Sequence, residues 1–175
     1  MAFDLSKSLN AIFNTPSLPS LGPERRADAL PLSKLENDLE SAVSQSGVSG
    51  DHADLVRSAA LLWHDHLDAS HTLSQDIRSS GGSFLHGIMH RREPDYPNAK
   101  YWFNRVGTHD EFLEIFNRAK TILTGTSLAH LVKSEWDPFA LVDSVSQAGS
   151  SSAEYELLQQ VQQIEFEVLL KRICN

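Results

Sequence analysis

Apolar residues recur at helical spacing along most of the chain, and no segment alternates in the manner of a β-strand. Between residues 52 and 77 the apolar positions lie three, four or seven residues apart, which places them on one face of an α-helix. These positions are Leu55, Ala59, Leu62, Ala69, Leu73 and Ile77. A helix predicted from about 153 to 172 has a similar face, formed by Leu158, Val161, Val168 and Leu169. The pattern therefore predicts an all-α fold.

Capping and breaking residues divide the chain into separate helices. Capping-box patterns at 33–36 and 108–111 each mark the start of a helix, and Asp137-Pro138 has the form of a cap followed by proline at the first helical position. Glycines and serines at 79–83 predict a break. The predicted helices are about 33–43, 52–77, 84–92, 98–106, 108–123 and 153–172, with one more beginning at Pro138.

The helices are predicted to form one domain. Residues 1–32 contain four of the seven prolines and predict an irregular N-terminal arm, followed by a helical domain over 33–175. A chain of 175 residues suits one domain with a sizeable core. The expected architecture is six or seven helices around a single core.

Composition limits the classes of partner. A net charge of -8 disfavours a general affinity for nucleic acid or an anionic membrane, and no apolar run approaches the roughly 18 residues of a membrane span. Cys174 is the only cysteine, so no intrachain disulfide forms, and the first ten residues lack the pattern of a signal peptide. These features favour a cytoplasmic protein whose partner is a small molecule, and they are compatible with a homo-oligomer.

Five of the eight histidines lie between residues 64 and 90. His86 and His90 are four residues apart, so both side chains reach one point beside a helix, and a neighbouring helix can supply another metal ligand. The candidate ligands of a divalent metal ion are His86, His90 and Glu165. The HExxH pattern is absent. The alternative is that these histidines hydrogen-bond backbone or carboxylate groups at a helix junction.

Two ionisable residues interrupt apolar faces of different helices. His66 continues the face of the 52–77 helix, and Glu165 lies four residues from both Val161 and Leu169 in the last helix. A buried carboxylate is costly unless it is paired, protonated or bound to a cation. The two side chains are therefore predicted to meet, either as a catalytic acid–base pair or as a structural ion pair.

The segment from 90 to 107 concentrates basic and aromatic residues in an acidic chain. Arginine presents a planar fork of donors to carboxylate or phosphate, and aromatic rings can form the wall of a pocket. Arg91, Arg92 and Tyr101 are therefore candidate binding residues for a small anionic substrate. The alternative is that Glu93 and Asp95 pair with these arginines.

Four stretches together resemble a family of uncharacterised bacterial and fungal helical proteins: LLWHDHLDASH, GSFLHGIMHRREPDYPNAKYWFNRVG, WDPFALVD and VQQIEFEVLL. The resemblance covers roughly residues 60 to 170 and implies kinship without a defined activity. The His64-Asp65 dipeptide is also similar to that of the HD metal-dependent phosphohydrolases, which are all-helical. The upstream histidine and downstream aspartate of that family have no clear counterparts in this chain.

Two functions remain open at the level of the sequence. The first is a small helical enzyme, either a metal-dependent hydrolase or an acid–base catalyst, with His66 and Glu165 in the pocket. The second is a non-enzymatic binding or scaffold protein, whose polar residues hold helices together. An open pocket that reaches the histidines would favour the enzyme.

Overall fold

The computed structural model describes residues 5–150 and 152–174. All regular secondary structure in this part is helical, which confirms the predicted class. The α-helices are α1 (Lys7–Phe13), α2 (Leu32–Ser46), α3 (Asp51–Trp63), α4 (Leu67–Ser74), α5 (Ser80–Arg92), α6 (Tyr96–Val106), α7 (Glu111–Leu123), α8 (Pro138–Gln147) and α9 (Ala153–Cys174). A short 3₁₀ helix at Ala129–Val132 precedes α8. Within these ranges, no helix has the length and apolar character that a membrane span requires.

The predicted helix over 52–77 is wrong, because the chain turns between α3 and α4. Asp65 has a φ of 63°, in the left-handed region, and His66 precedes the first residue of α4. The apolar periodicity continues through this turn, so periodicity alone cannot reveal it. The break and the additional helix α1 account for the nine α-helices in the described residues, against the six or seven expected.

Helix α5 lies at the centre of the molecule. All of its residues from 81 to 92 are buried, including polar ones, and its closest neighbour is α6. Gly87 permits this approach, because a Cβ atom there would lie 3.0 Å from the ring of Phe103. A helix that is buried on every side must satisfy each of its polar side chains within the protein.

The described part of the N-terminal arm contributes to the core. Leu9, Ile12 and Phe13 of α1 are buried, and the ring of Phe13 meets Trp63 edge-on at 5.9 Å. Trp63 in turn contacts Phe166 of α9 at 5.4 Å. The aromatic contacts therefore join the arm, α3 and the last helix; residues 1–4 of the predicted arm lie outside the described range.

A buried ion-pair network closes the turn between α3 and α4. Arg92 Nη2 lies 2.6 Å from Asp65 Oδ1, and Arg26 Nε lies 2.8 Å from Asp65 Oδ2. Arg92 also donates to the carbonyl oxygens of Leu62, at 2.5 Å, and Gly22, at 3.2 Å. The guanidinium of Arg92 therefore fixes the end of α5 to the end of α3 and to the arm.

Replacing Asp65 with Asn should destabilise the protein by about 3–5 kcal/mol, because two largely buried arginines lose their counter-charge. The free energy of unfolding from urea denaturation measures this loss. Asp54→Asn is the matched control: its partner Arg57 is 26% exposed, and the change should cost less than about 1 kcal/mol. Equal effects of the two substitutions would contradict a central role for Asp65.

Candidate metal centre

Three histidine side chains converge beside α5. His86 and His90 lie one turn apart on that helix, and His71 reaches them from α4. The ring centroid of His71 lies 4.7 Å from that of His86 and 5.2 Å from that of His90. One candidate ligand atom from each of the three lies within 4.8 Å of the other two. In the described part of the chain, this is the one group of three or more such residues with that geometry.

Hydrogen bonds orient both histidines of α5 through the same ring nitrogen. His90 Nδ1 lies 3.0 Å from Glu93 Oε2, and His86 Nδ1 lies 3.3 Å from Ser74 Oγ. A carboxylate accepts from Nδ1–H of His90, which leaves Nε2 of that ring unprotonated when the ring is neutral. Carboxylate and hydroxyl partners of this kind commonly hold metal-binding histidines in place.

Helix α6 covers the histidine pair with a second pair of side chains at i, i+4 spacing. Trp102 stacks on His86, with 3.9 Å between the ring centroids and 17° between the planes. Asn98 Nδ2 lies 3.1 Å from His90 Nε2. The close packing of α5 on α6 therefore places Asn98 against His90 and Trp102 against His86.

Burial keeps the α5 histidines neutral near pH 7. Burial first, and then repulsion from the imidazoles of His90 and His71, lowers the pKa of His86 to about 3. The pKa of His90 is also lowered, first by burial, although the carboxylate of Glu93 acts in the opposite direction. Neutral imidazole is the form that binds a metal ion, so the lowered pKa values of His86 and His90 favour binding.

A cleft of about 420 Å³ is lined by none of the three clustered histidines and adjoins them through Glu93, which contacts His90. Its lining includes Arg25 and Leu32, which precede and open α2, together with Asp68 and Glu93. Asp68 is three residues before His71 on α4, and Glu93 contacts His90 directly. Two carboxylates of the cleft, those of Asp68 and Glu93, are thus each three residues in sequence from a histidine of the cluster.

The expected meeting of His66 and Glu165 is wrong. His66 Nε2 donates to the carbonyl oxygen of Leu30 at 2.8 Å, whereas Glu165 pairs with Arg91, whose Nη2 lies 2.6 Å from Oε2. Glu165 is completely buried; burial raises its pKa, and Arg91 opposes that rise. The turn at Asp65 moves His66 off the face of α3, so the two side chains serve different hydrogen bonds.

Glu165 is likewise not the third member of the metal cluster, because its carboxylate is occupied by Arg91. The third imidazole comes from His71 instead. Because α4 is a helix separate from α3, the side chain of His71 points towards α5. The i, i+4 pair of His86 and His90 was recognisable in the sequence. The position of the third histidine, His71, depends on the turn at Asp65 between α3 and α4.

The candidate anion-binding residues are also placed differently from the expectation. Arg91 and Arg92 are 1% and 0% exposed and pair with Glu165 and Asp65, so neither guanidinium is available to a substrate. Their partners are not the expected neighbours in the sequence. Tyr101 is 53% exposed, and its hydroxyl accepts a hydrogen bond from Arg105 at 3.3 Å.

The His64-Asp65 dipeptide does not form a metal site of the HD type. Both nitrogens of His64 bond to backbone, with Nδ1 accepting from Leu30 N–H at 3.1 Å and Nε2 within 2.8 Å of the Ile12 carbonyl oxygen. The carboxylate of Asp65 is held by two arginines. The dipeptide therefore fixes the arm to the turn.

Comparison with protein-family models, with curated proteins and with solved structures found no match for this chain. The side-chain geometry is therefore the basis for any functional assignment.

The neutral state of His86 makes stability depend on pH. Because its folded pKa of about 3 is below the ordinary value of 6.5, the unfolded chain binds a proton that the folded protein does not. Stability from this group is fully present above about pH 6.5 and falls with decreasing pH, by up to about 1.4 kcal/mol per pH unit.

Substituting His86 with Phe should therefore flatten the decline in unfolding free energy between pH 6.5 and 5, measured by urea denaturation of chelator-treated protein. Phe keeps an aromatic ring against Trp102 and removes the titration. His52→Phe, at an exposed position of α3, should leave the slope as in the wild type. An unchanged slope in the His86 variant would show that this histidine is not held neutral.

Proposed function

We propose that His71, His86 and His90 bind a divalent transition-metal ion, and that the site supports hydrolysis of a small molecule by a metal-activated water. The observation that carries the proposal is the convergence of three imidazoles, with candidate ligand atoms within 4.8 Å of one another. In a tetrahedral zinc site, bonds of about 2.0–2.1 Å place ligand nitrogens roughly 3.4 Å apart. The candidate ligand atoms lie up to 4.8 Å apart, so metal binding requires the three imidazoles to move closer together.

The donor set favours zinc. Three neutral imidazole nitrogens suit Zn²⁺ among the common metal ions, and hard cations such as Mg²⁺ and Ca²⁺ prefer oxygen ligands. Zinc sites with three histidines leave the fourth position to a water or substrate atom, which is the arrangement of catalytic zinc. A bound metal lowers the pKa of its water towards neutrality and so supplies a nucleophile for hydrolysis.

The adjoining cleft supports a neutral or cationic substrate better than an anionic one. Its lining contains the carboxylates of Asp68 and Glu93 and a single arginine, Arg25. Asp65 also lines it but is neutralised by Arg26 and Arg92. The small anionic substrate suggested by the arginine-rich segment loses its main support, because Arg91 and Arg92 are buried in ion pairs.

A non-enzymatic scaffold is the second candidate. The buried ion pairs of Arg91 and Arg92 favour a structural role for these two residues. Arg91 with Glu165 and Arg92 with Asp65 join α5 to α9 and to the turn after α3. These ion pairs account for the burial of the four residues, and no catalytic role is needed to explain it. They do not explain why three imidazoles lie together, which is the reason for preferring a metal site. Kinship with the uncharacterised helical family remains a prediction.

Purified untagged protein should bind about one equivalent of Zn²⁺ per chain, measured by elemental analysis after dialysis and by competition with a chromophoric chelator. Replacing His71, His86 or His90 singly with Ala should weaken binding by more than about 100-fold, because each change removes a ligand. His52→Ala should bind as the wild type does. Metal-free wild-type protein, or equal binding in all variants, would refute the proposed site.

Glu93→Ala should weaken Zn²⁺ binding by about 10–100-fold, because the carboxylate orients His90 and is not itself a ligand. Glu93→Gln keeps a hydrogen-bond acceptor and should recover part of that loss. The control is Glu114→Ala, which removes a surface carboxylate paired with Lys171. An effect of Glu93→Ala as large as that of His90→Ala would show that Glu93 is a ligand instead.

A further inference from the structure

The position of Asn98 relative to His90 bears on the exchangeable position of the proposed metal site. Asn98 Nδ2 lies 3.1 Å from Nε2 and 3.4 Å from Nδ1 of His90. Because the two distances are nearly equal, the amide nitrogen is not in line with the Nε2 lone pair. A metal ion bound to Nε2 lies along that lone pair. Asn98 therefore stands beside the metal position without occupying it.

The orientation of the carboxamide follows from the hydrogen bond between His90 and Glu93. Since Glu93 accepts a hydrogen bond from Nδ1–H, Nε2 of the neutral ring carries a lone pair and no hydrogen. The structure places the NH₂ nitrogen of Asn98 against the ring of His90, beside Nε2. The donor end of the side chain therefore faces the histidine cluster.

The helix holds Asn98 in place independently of its side chain. Asn98 lies in the first turn of α6, and its backbone N–H donates to Asp95 Oδ1 at 3.3 Å. The cap is thus made by the backbone and Asp95, and the carboxamide takes no part in it. Trp102, one turn further along α6, stacks on His86 and fixes the rotation of the helix.

We propose that Asn98 Nδ2 donates a hydrogen bond to the fourth ligand of the metal, a water-derived hydroxide or an oxygen or nitrogen anion that replaces it. This inference rests on the proposed three-histidine metal site. A donor fixed in place beside a metal favours negative charge at the exchangeable position, where charge develops during hydrolysis. Asn98 is then a group that touches the reacting atoms and is distinct from the three ligands.

Cobalt-substituted protein tests this assignment without knowledge of the substrate. Co²⁺ in a nitrogen-rich site has visible absorption bands that change when inorganic azide binds at the open position. The titration compares wild type with Asn98→Ala and with Asn98→Leu, which has a similar size and no donor. Asn104→Ala, an exposed asparagine on the same helix, is the matched control.

Both Asn98 variants should bind Co²⁺ within about threefold of the wild type, and azide about 10- to 100-fold more weakly, because a hydrogen bond to a charged group is lost. Azide binding at wild-type strength in both variants would overturn the role of Asn98. A large loss of Co²⁺ affinity would also overturn it, since Asn98 would then be a ligand. Failure of the wild type to bind Co²⁺ would instead refute the metal site itself.

Discussion

The buried pairing of Arg92 with Asp65 is the constraint on which the placement of the histidines depends. It fixes the end of α5 against the turn between α3 and α4, and through Gly22 and Arg26 it fixes the arm to the same point. Burial alone would raise the pKa of Asp65; the charge of Arg92 and the hydrogen bonds from Arg26 outweigh it and hold the pKa below its ordinary value. The turn remains intact while Asp65 is ionised, and it directs α4 so that His71 reaches α5.

The same burial that requires ion pairs on one part of α5 produces neutral imidazoles on another. Arg91 and Arg92 keep their charges because Glu165 and Asp65 lie against them. His86 has no such counter-charge and stays neutral, stacked on Trp102. A central helix thus carries two kinds of polar side chain, and the neutral kind is suited to metal binding. This division separates the ion-paired arginines from the neutral histidines of the candidate site.

Local patterns in the sequence were sufficient for the fold class and for two of the three histidines of the candidate site. Helical periodicity predicted the all-α class, and the spacing of His86 and His90 predicted that they share a face. His71 could not be assigned, because its direction depends on the left-handed conformation of Asp65 and on the arginines that bind it from distant segments. The partner of Glu165 was misassigned for the same reason: periodicity identifies an inward residue but not what it meets. Asn98 and Trp102 have i, i+4 spacing, yet nothing local to α6 indicates that they face the histidines.

X-ray absorption spectroscopy of the zinc-loaded, untagged protein tests the central claim most directly, because it reports the ligands of the metal in solution. The account predicts three imidazole nitrogens at about 2.0–2.1 Å and one exchangeable oxygen ligand, with the imidazole signal reduced in His71→Ala. A shell of oxygen atoms alone, or one unchanged by loss of His71, would contradict the three-histidine site.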